Sequence, residues 1–149
     1  MNSRLFHHEI RVTFGDCDPA GIVFFPNFHR WFDAATWAMF QSVGLTRQKL
    51  EQVYGIFGSP IVRNEAEFIR PARDGDTLCI ESIVTRWGRS SFTIEHLARR
   101  GDLDIARAAE VRVWARHDES GAIEAVPVPE DVKHILSPAC TEETTPPHR

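Results

Sequence analysis

The stretch from Phe14 to Asp33, FGDCDPAGIVFFPNFHRWFD, gathers three carboxylates, a thiol and an imidazole around a proline turn. Cys17 is the first candidate nucleophile. Its reactive form is the thiolate, which positive neighbours favour, and Asp16 and Asp18 on either side oppose it. Packing is the better reading for Cys17. A metal site needs three or four converging ligands. Asp16, Asp18 and His29 are at hand, but there is no HxxxH pair and no carboxylate cluster at metal-binding spacing. Gly15 and Gly21 fit neither a GxxxxGK nor a GxGxxG loop, and no G-x-S-x-G elbow occurs.

Asp18 carries more promise. Pro19 biases the backbone of Asp18 toward extended geometry. The residue stands just upstream of a predicted helix start, where free amides and the helix dipole favour a developing oxyanion. A carboxylate beside such amides can attack a reactive carbonyl or activate water against one. The competing reading is a polar turn in which Asp16 and Asp18 bind local amides. Spacing alone favours the turn.

The elements that must position these residues follow from periodicity. Phe6 to Phe14 alternates, with Phe6, His8, Ile10, Val12 and Phe14 on one face, and predicts a half-buried strand. A loop broken by Pro19, Gly21 and Pro26 runs to a long helix. There Phe28, Trp31, Phe32, Ala35, Met39 and Val43 recur at steps of three and four, with Asn27 as candidate cap and Gly44 at the end. Trp37 and Phe40 make this helix greasy on more than one side, as expected if a sheet or a partner wraps it. A short helix over 46–53 follows. Then come strands over 61–70, 77–87 and 91–99, a long strand from 103 to about 117, a last short strand, and a closing helix over 129–136. Residues 1–138 are expected to form one domain, and 139–149 a polar, disordered tail.

The 149-residue chain is long enough to bury a real core as a single domain. Its net charge of -4 argues against general nucleic-acid binding. No apolar run reaches the roughly 18 residues of a membrane span, and the N-terminus has no secretory pattern. Three scattered cysteines, Cys17, Cys79 and Cys140, form neither a disulfide framework nor a zinc pattern. A reducing cytoplasm is the simplest expectation.

The run Arg11-Val12-Thr13-Phe14-Gly15-Asp16-Cys17-Asp18-Pro19-Ala20-Gly21-Ile22-Val23-Phe24-Phe25-Pro26-Asn27-Phe28-His29-Arg30-Trp31 resembles the signature of the 4-hydroxybenzoyl-CoA thioesterases, a hotdog-fold family. The resemblance continues more loosely through Gly58-Ser59-Pro60-Ile61-Val62, Arg86 to Phe92 and Glu110 to Val113. It implies an α+β hotdog fold, with an antiparallel sheet of five to six strands around one long helix. That is the order reached above from periodicity.

The resemblance further implies hydrolysis of an acyl-CoA thioester without metal or redox cofactor. The catalytic carboxylate falls on Asp18, and the oxyanion donor on the backbone amide of Phe25. Asp33 falls on a position that meets the ring hydroxyl of a hydroxybenzoyl group; otherwise it is a solvent-facing acid early in the helix. Phe24 and Ser59 fall on further substrate-binding positions. The Arg89-Ser90-Ser91 turn falls on the segment that meets the CoA nucleotide, often across a subunit boundary. It is less basic than expected, so Arg73 or Arg116 could supply further phosphate contacts. The charged segment Arg63-Asn64-Glu65-Ala66-Glu67 departs from the family pattern and makes Glu65 a rival carboxylate, and another hotdog clade would promote Asp33. The expected substrate is a hydroxybenzoyl or related benzoyl-CoA. A short- or medium-chain aliphatic acyl-CoA is the alternative, and a non-catalytic acyl-CoA binding module is a third reading. Exposed sheet edges and a half-covered helix point to oligomerisation, which the resemblance makes a dimer of dimers.

Overall fold

The computed structural model describes residues 4–137; the expected tail at 139–149 and Cys140 lie outside the described residues. Strand β1 (Leu5–Arg11) leads through a single 3-10 turn (Phe14–Asp16) and a loop to the 17-residue helix α1 (Pro26–Ser42), then α2 (Arg47–Gln52). The meander β2 (Ile61–Phe68), β3 (Thr77–Trp87), β4 (Ser91–Arg100) and β5 (Leu103–Val113) follows. A small pair, β6 (Ala115–His117) and β7 (Ile123–Ala125), and α3 (Glu130–Leu136) close the domain. The main sheet has five strands in the order β1-β3-β4-β5-β2, every neighbouring pair antiparallel.

Period-two alternation turns one face of this sheet to α1. Leu78, Ile80 and Val84 of β3, Phe92, Ile94 and Ala98 of β4, and Ala106 and Ala108 of β5 are all buried. From the helix, Phe28, Trp31, Phe32, Ala35, Met39 and Phe40 meet them. Phe32 and Phe40 are fully buried, each worth roughly 1.5–3 kcal/mol of transfer energy. The helix stops where Gly44 takes φ +82°, letting Gly44 N–H reach Gln41 O at 3.0 Å and Leu45 N–H reach Phe40 O at 2.9 Å. No helix among the described residues is long and apolar enough to cross a membrane.

Three expectations need correction. Phe14 leaves the strand and is 82% exposed, because Asp16 binds back to Thr13 and turns the chain. Asn27 does not cap α1: Phe25 is the N-cap residue, and Asn27 Nδ2 instead donates to Asp16 O at 2.8 Å. The strand expected to run to 117 breaks at Trp114, whose ring is buried and whose N–H turns to Ser90 O. Edge strand β2 is exposed along its whole length and pairs only with β5.

Candidate active site

The Asp18 loop is a hairpin seated on the start of α1. Cys17 and Val23 bridge its two arms, Asp18 N–H donates to Ile22 O at 2.8 Å, and Gly21, at φ +78°, closes the tip by donating to Asp18 O at 2.9 Å. Only glycine takes that φ without strain. Phe24 N–H reaches Asp16 O at 2.9 Å, and Val23 N–H reaches Ala72 O at 2.8 Å, fixing the loop to the segment before β3.

Asp16 is the loop's brace. Its Oδ2 accepts from Thr13 N–H and Thr13 Oγ1, both at 2.9 Å, and its Oδ1 accepts from Arg30 Nη2 at 3.0 Å. Burial alone would raise the Asp16 pKa, but the two Thr13 bonds and the Arg30 guanidinium outweigh it and hold the carboxyl below its ordinary value. Cys17 is half-buried and packs against the Val12, Val23 and Phe28 cluster. Asp18 is half-buried; its Oδ1 accepts from Ala20 N–H at 2.9 Å, while Oδ2 has no partner among the described residues. Asp18 is thus a turn residue that keeps one oxygen without a partner among the described residues.

The amide expected to hold an oxyanion is also open. Asn27 N–H is taken by Phe24 O at 2.9 Å and Phe28 N–H by Phe25 O at 3.1 Å, but Phe25 N–H donates to nothing among the described residues. It stands at the positive end of a 17-residue helix. Phe24 and Phe25 are 49% and 57% exposed, and their rings form an edge-to-face chain with Phe68 of β2. His29 stacks edge-on against Phe68, and its Nδ1 lies 3.2 Å from Asn64 Nδ2. Among the described residues no three His, Cys, Asp or Glu side chains converge as a metal site would require.

The other expected residues divide. Asp33 is half-exposed and its Oδ1 accepts from Arg112 Nη2 at 2.7 Å. Ser59 is buried and donates its hydroxyl to Val113 O at 2.8 Å, which leaves it an acceptor only. Glu65 pairs with Ala109, whose neighbours Ala108 and Glu110 face α1, so Glu65 points to the opposite side of the sheet from the Asp18 loop. It shares that outer face with a hollow of about 620 Å³ lined by Glu67, Glu81, Glu95 and Arg107, which the Asp18 loop does not line. Arg89-Ser90-Ser91 forms the β3–β4 turn, where Gly88 N–H meets Ser91 O at 2.7 Å. Arg89 is exposed and has no carboxylate partner among the described residues. Arg116 is committed to Glu124 at 2.9 Å. The Asp18 loop packs beside the start of β3 and Arg89 follows its end, so one chain keeps them apart by the strand's length.

Sequence reasoning missed Arg112, Glu110 and His96. They occupy inward positions of β4 and β5 that the alternation assigns to the core, and all three are buried. Polar residues at inward register positions are the signal that could have found them.

Comparison with known proteins bears on this arrangement. The sequence profile of the thioesterase-like superfamily matches residues 12–136. The chain is 43% identical over 133 residues to the 4-hydroxybenzoyl-CoA thioesterase of Pseudomonas sp. (strain CBS-3), covering 85% of this chain and 94% of that one. A crystal structure of a 4-hydroxybenzoyl CoA thioesterase mutant complexed with 4-hydroxybenzoyl CoA matches with a TM-score of 0.84 at 40% identity, over 90% of this chain and 99% of that one. A 1,4-dihydroxy-2-naphthoyl-CoA hydrolase of Prochlorococcus marinus (strain MIT 9303) is 32% identical over 107 residues, covering 68% of this chain and 70% of that one.

Proposed function

The chain belongs to the thioesterase-like superfamily and has the hotdog fold, and from that premise we propose that it hydrolyses a hydroxylated aromatic acyl-CoA, 4-hydroxybenzoyl-CoA or a close analogue, to the free acid and CoA. One observation carries the reading. Among the described residues, Asp18 has a carboxylate oxygen without a partner in the loop that leads into α1, and Phe25 has an N–H without one at the start of that helix.

An acyl carbonyl placed between the two meets a nucleophile and an oxyanion donor together. Asp18 attacks the thioester carbon, and the carbonyl oxygen takes up negative charge against Phe25 N–H and the helix N-terminus. The C–S bond breaks, and the CoA thiolate leaves and takes a proton from solvent. Water then cleaves the acyl-aspartate anhydride, releasing the acid and restoring the carboxylate. In the general-base version Asp18 removes a proton from water, which attacks the same carbon directly. Water, a carboxylate and a fixed donor suffice for either course, so no cofactor is required.

The exposed rings of Phe24 and Phe25 supply an apolar seat for the acyl ring, and Asp33 an acceptor for a ring hydroxyl. Arg89 and the hydroxyls of Ser90 and Ser91 supply phosphate donors for the nucleotide. They come from a partner subunit in this reading, because within one chain they lie at the far end of β3. The free β2 edge, with its own Ile61, Val62 and Phe68 exposed, is the surface that such a dimer would cover, and two dimers make the tetramer.

The test is a panel of 4-hydroxybenzoyl-, benzoyl- and butyryl- to octanoyl-CoA, assayed with the wild type and Asp18→Asn. We expect the hydroxybenzoyl ester to be favoured. Asp18→Asn should bind it normally while kcat falls by about 10²–10⁴-fold. Aliphatic preference sinks the substrate reading; near-normal turnover by Asp18→Asn sinks the mechanism.

A further inference from the structure

Beneath α1 a chain of buried polar groups ends on one half-exposed carboxylate. Arg112 of β5 is 2% exposed and makes three charge-assisted or carbonyl bonds. Its Nε donates to Glu110 Oε2 at 2.9 Å, its Nη1 to Ser59 O at 3.0 Å, and its Nη2 to Asp33 Oδ1 at 2.7 Å. Glu110 is fully buried, and Oε2 also accepts from Thr36 Oγ1 of α1 at 3.3 Å and lies 3.2 Å from His96 Nε2. His96 in turn has its Nδ1 2.7 Å from Ser82 Oγ and its ring stacked on Phe32, centroids 5.2 Å apart.

Core packing does not call for this arrangement. Well-packed apolar residues at such positions are often as stabilising as a buried ion pair, or more so. Geometry, however, comes only from the polar version. The guanidinium is planar, so fixing Nε on Glu110 and Nη1 on Ser59 O dictates where Nη2 points. It points at Asp33, the only member of the chain that is not buried. Arg112 thus takes Oδ1 and holds the carboxylate in one orientation, while Oδ2 has no partner among the described residues.

We infer that Arg112 is a positioning residue that determines acyl specificity, turning Asp33 so that Oδ2 accepts a hydrogen bond from a hydroxyl on the acyl ring. This rests on the reading that Asp33 meets the substrate. Arg112 also sets which substituents are admitted. With Glu110 and Asp33 both facing a single guanidinium, the locus welcomes a neutral hydrogen-bond donor and rejects a ring carboxylate.

The experiment compares kcat/KM for 4-hydroxybenzoyl-CoA and benzoyl-CoA in the wild type, Asp33→Asn and Arg112→Lys, with near-ultraviolet circular dichroism to verify folding. Lysine keeps the charge and loses the fork. The hydroxybenzoyl-to-benzoyl ratio should fall about tenfold or more in both variants, since the interaction lost is one hydrogen bond to a charged group. A generally damaged core would lower both substrates together and overturn the inference. So would an unchanged ratio in Arg112→Lys alongside a collapsed ratio in Asp33→Asn. An unchanged ratio in Asp33→Asn removes the Asp33 reading itself, and the inference with it. Should Arg112→Lys not fold, Glu110→Gln, which loosens Nε and leaves Arg112 present, is read by the same two outcomes.

Discussion

Asp18 and Arg89 of one chain sit at opposite ends of β3, which is 11 residues long. The Asp18 loop is tied to the near end, where Val23 N–H meets Ala72 O and Val12 N–H meets Asp76 O, both at 2.8 Å. Arg89 opens the turn at the far end. At about 3.3 Å per residue β3 alone spans roughly 36 Å. If the nucleotide is held by a partner's Arg89, two inactive variants should rescue one another. Asp18→Asn and Arg89→Glu subunits, mixed and refolded together, are expected to recover about a quarter of wild-type kcat/KM, because half the dimers are hybrids with one intact site of two. A mixture no more active than its separate parents would mean that a partner's Arg89 does not complete the Asp18 site.

The oxyanion role of the Phe25 amide can be tested without touching any carboxylate. Phe25 has φ -55°, which proline accepts, and among the described residues its N–H makes no bond that the fold would lose. Phe25→Pro should therefore stay folded while kcat drops by about 10²–10³-fold. Phe25→Ala keeps the N–H and should lose far less. Equal losses in the two variants would assign the effect to the ring instead.

Much of this was legible from residue order, and the illegible part has a physical cause. The strand, helix and meander follow from periodicities that burial enforces, as when β3 buries Leu78, Ile80 and Val84 in alternation. The Asp18 loop was legible because Pro19 restricts the backbone and Gly21 admits the positive φ that the turn needs. Phe14 was misassigned because a side-chain bond, Asp16 to Thr13, ended the strand while the alternation ran on. Asn27 was misassigned because its amide found Asp16 O, a partner eleven residues away. The Arg112 chain was hidden for a related reason. It joins residues separated by as many as 79 positions, and no local pattern records such a contact.

Acid stability tests the carboxylate braces. The Arg73 N–H holds the Asp76 carboxyl below its ordinary range; burial opposes this and Arg100, 2.8 Å away, reinforces it. Glu110 is also lowered: burial would raise it, but His96 and Arg112 outweigh that. A depressed folded-state pKa contributes stability that is complete above the unfolded value of about 4 and is lost as pH falls through the folded value. Asp76→Asn should thus cost about 1 kcal/mol in urea unfolding at pH 7. At pH 3, where part of that contribution has already gone, the cost should be smaller. An equal cost at both pH values would show that Asp76 acts through packing and not through its charge.

Tyr54 is the chain's single tyrosine, so its titration can be followed without assignment. Its hydroxyl donates to Asp131 Oδ2 of α3 at 2.7 Å, and its ring stands edge-on to Trp114 at 5.8 Å. Burial, then the bond to Asp131 and its negative charge, push the Tyr54 pKa up to about 12. A raised folded-state pKa means that the stabilisation is intact below the unfolded value of about 10 and is lost as pH rises through the folded one. Phenolate absorbance should accordingly be nearly absent at pH 10 in the folded protein and develop around 12. Asp131→Asn should move the midpoint down while leaving the ring in place. Tyr54→Phe should lower stability at neutral pH by about 1 kcal/mol, the net worth of one hydrogen bond. A wild-type midpoint near 10 would mean that Tyr54 and Asp131 are not bonded in solution.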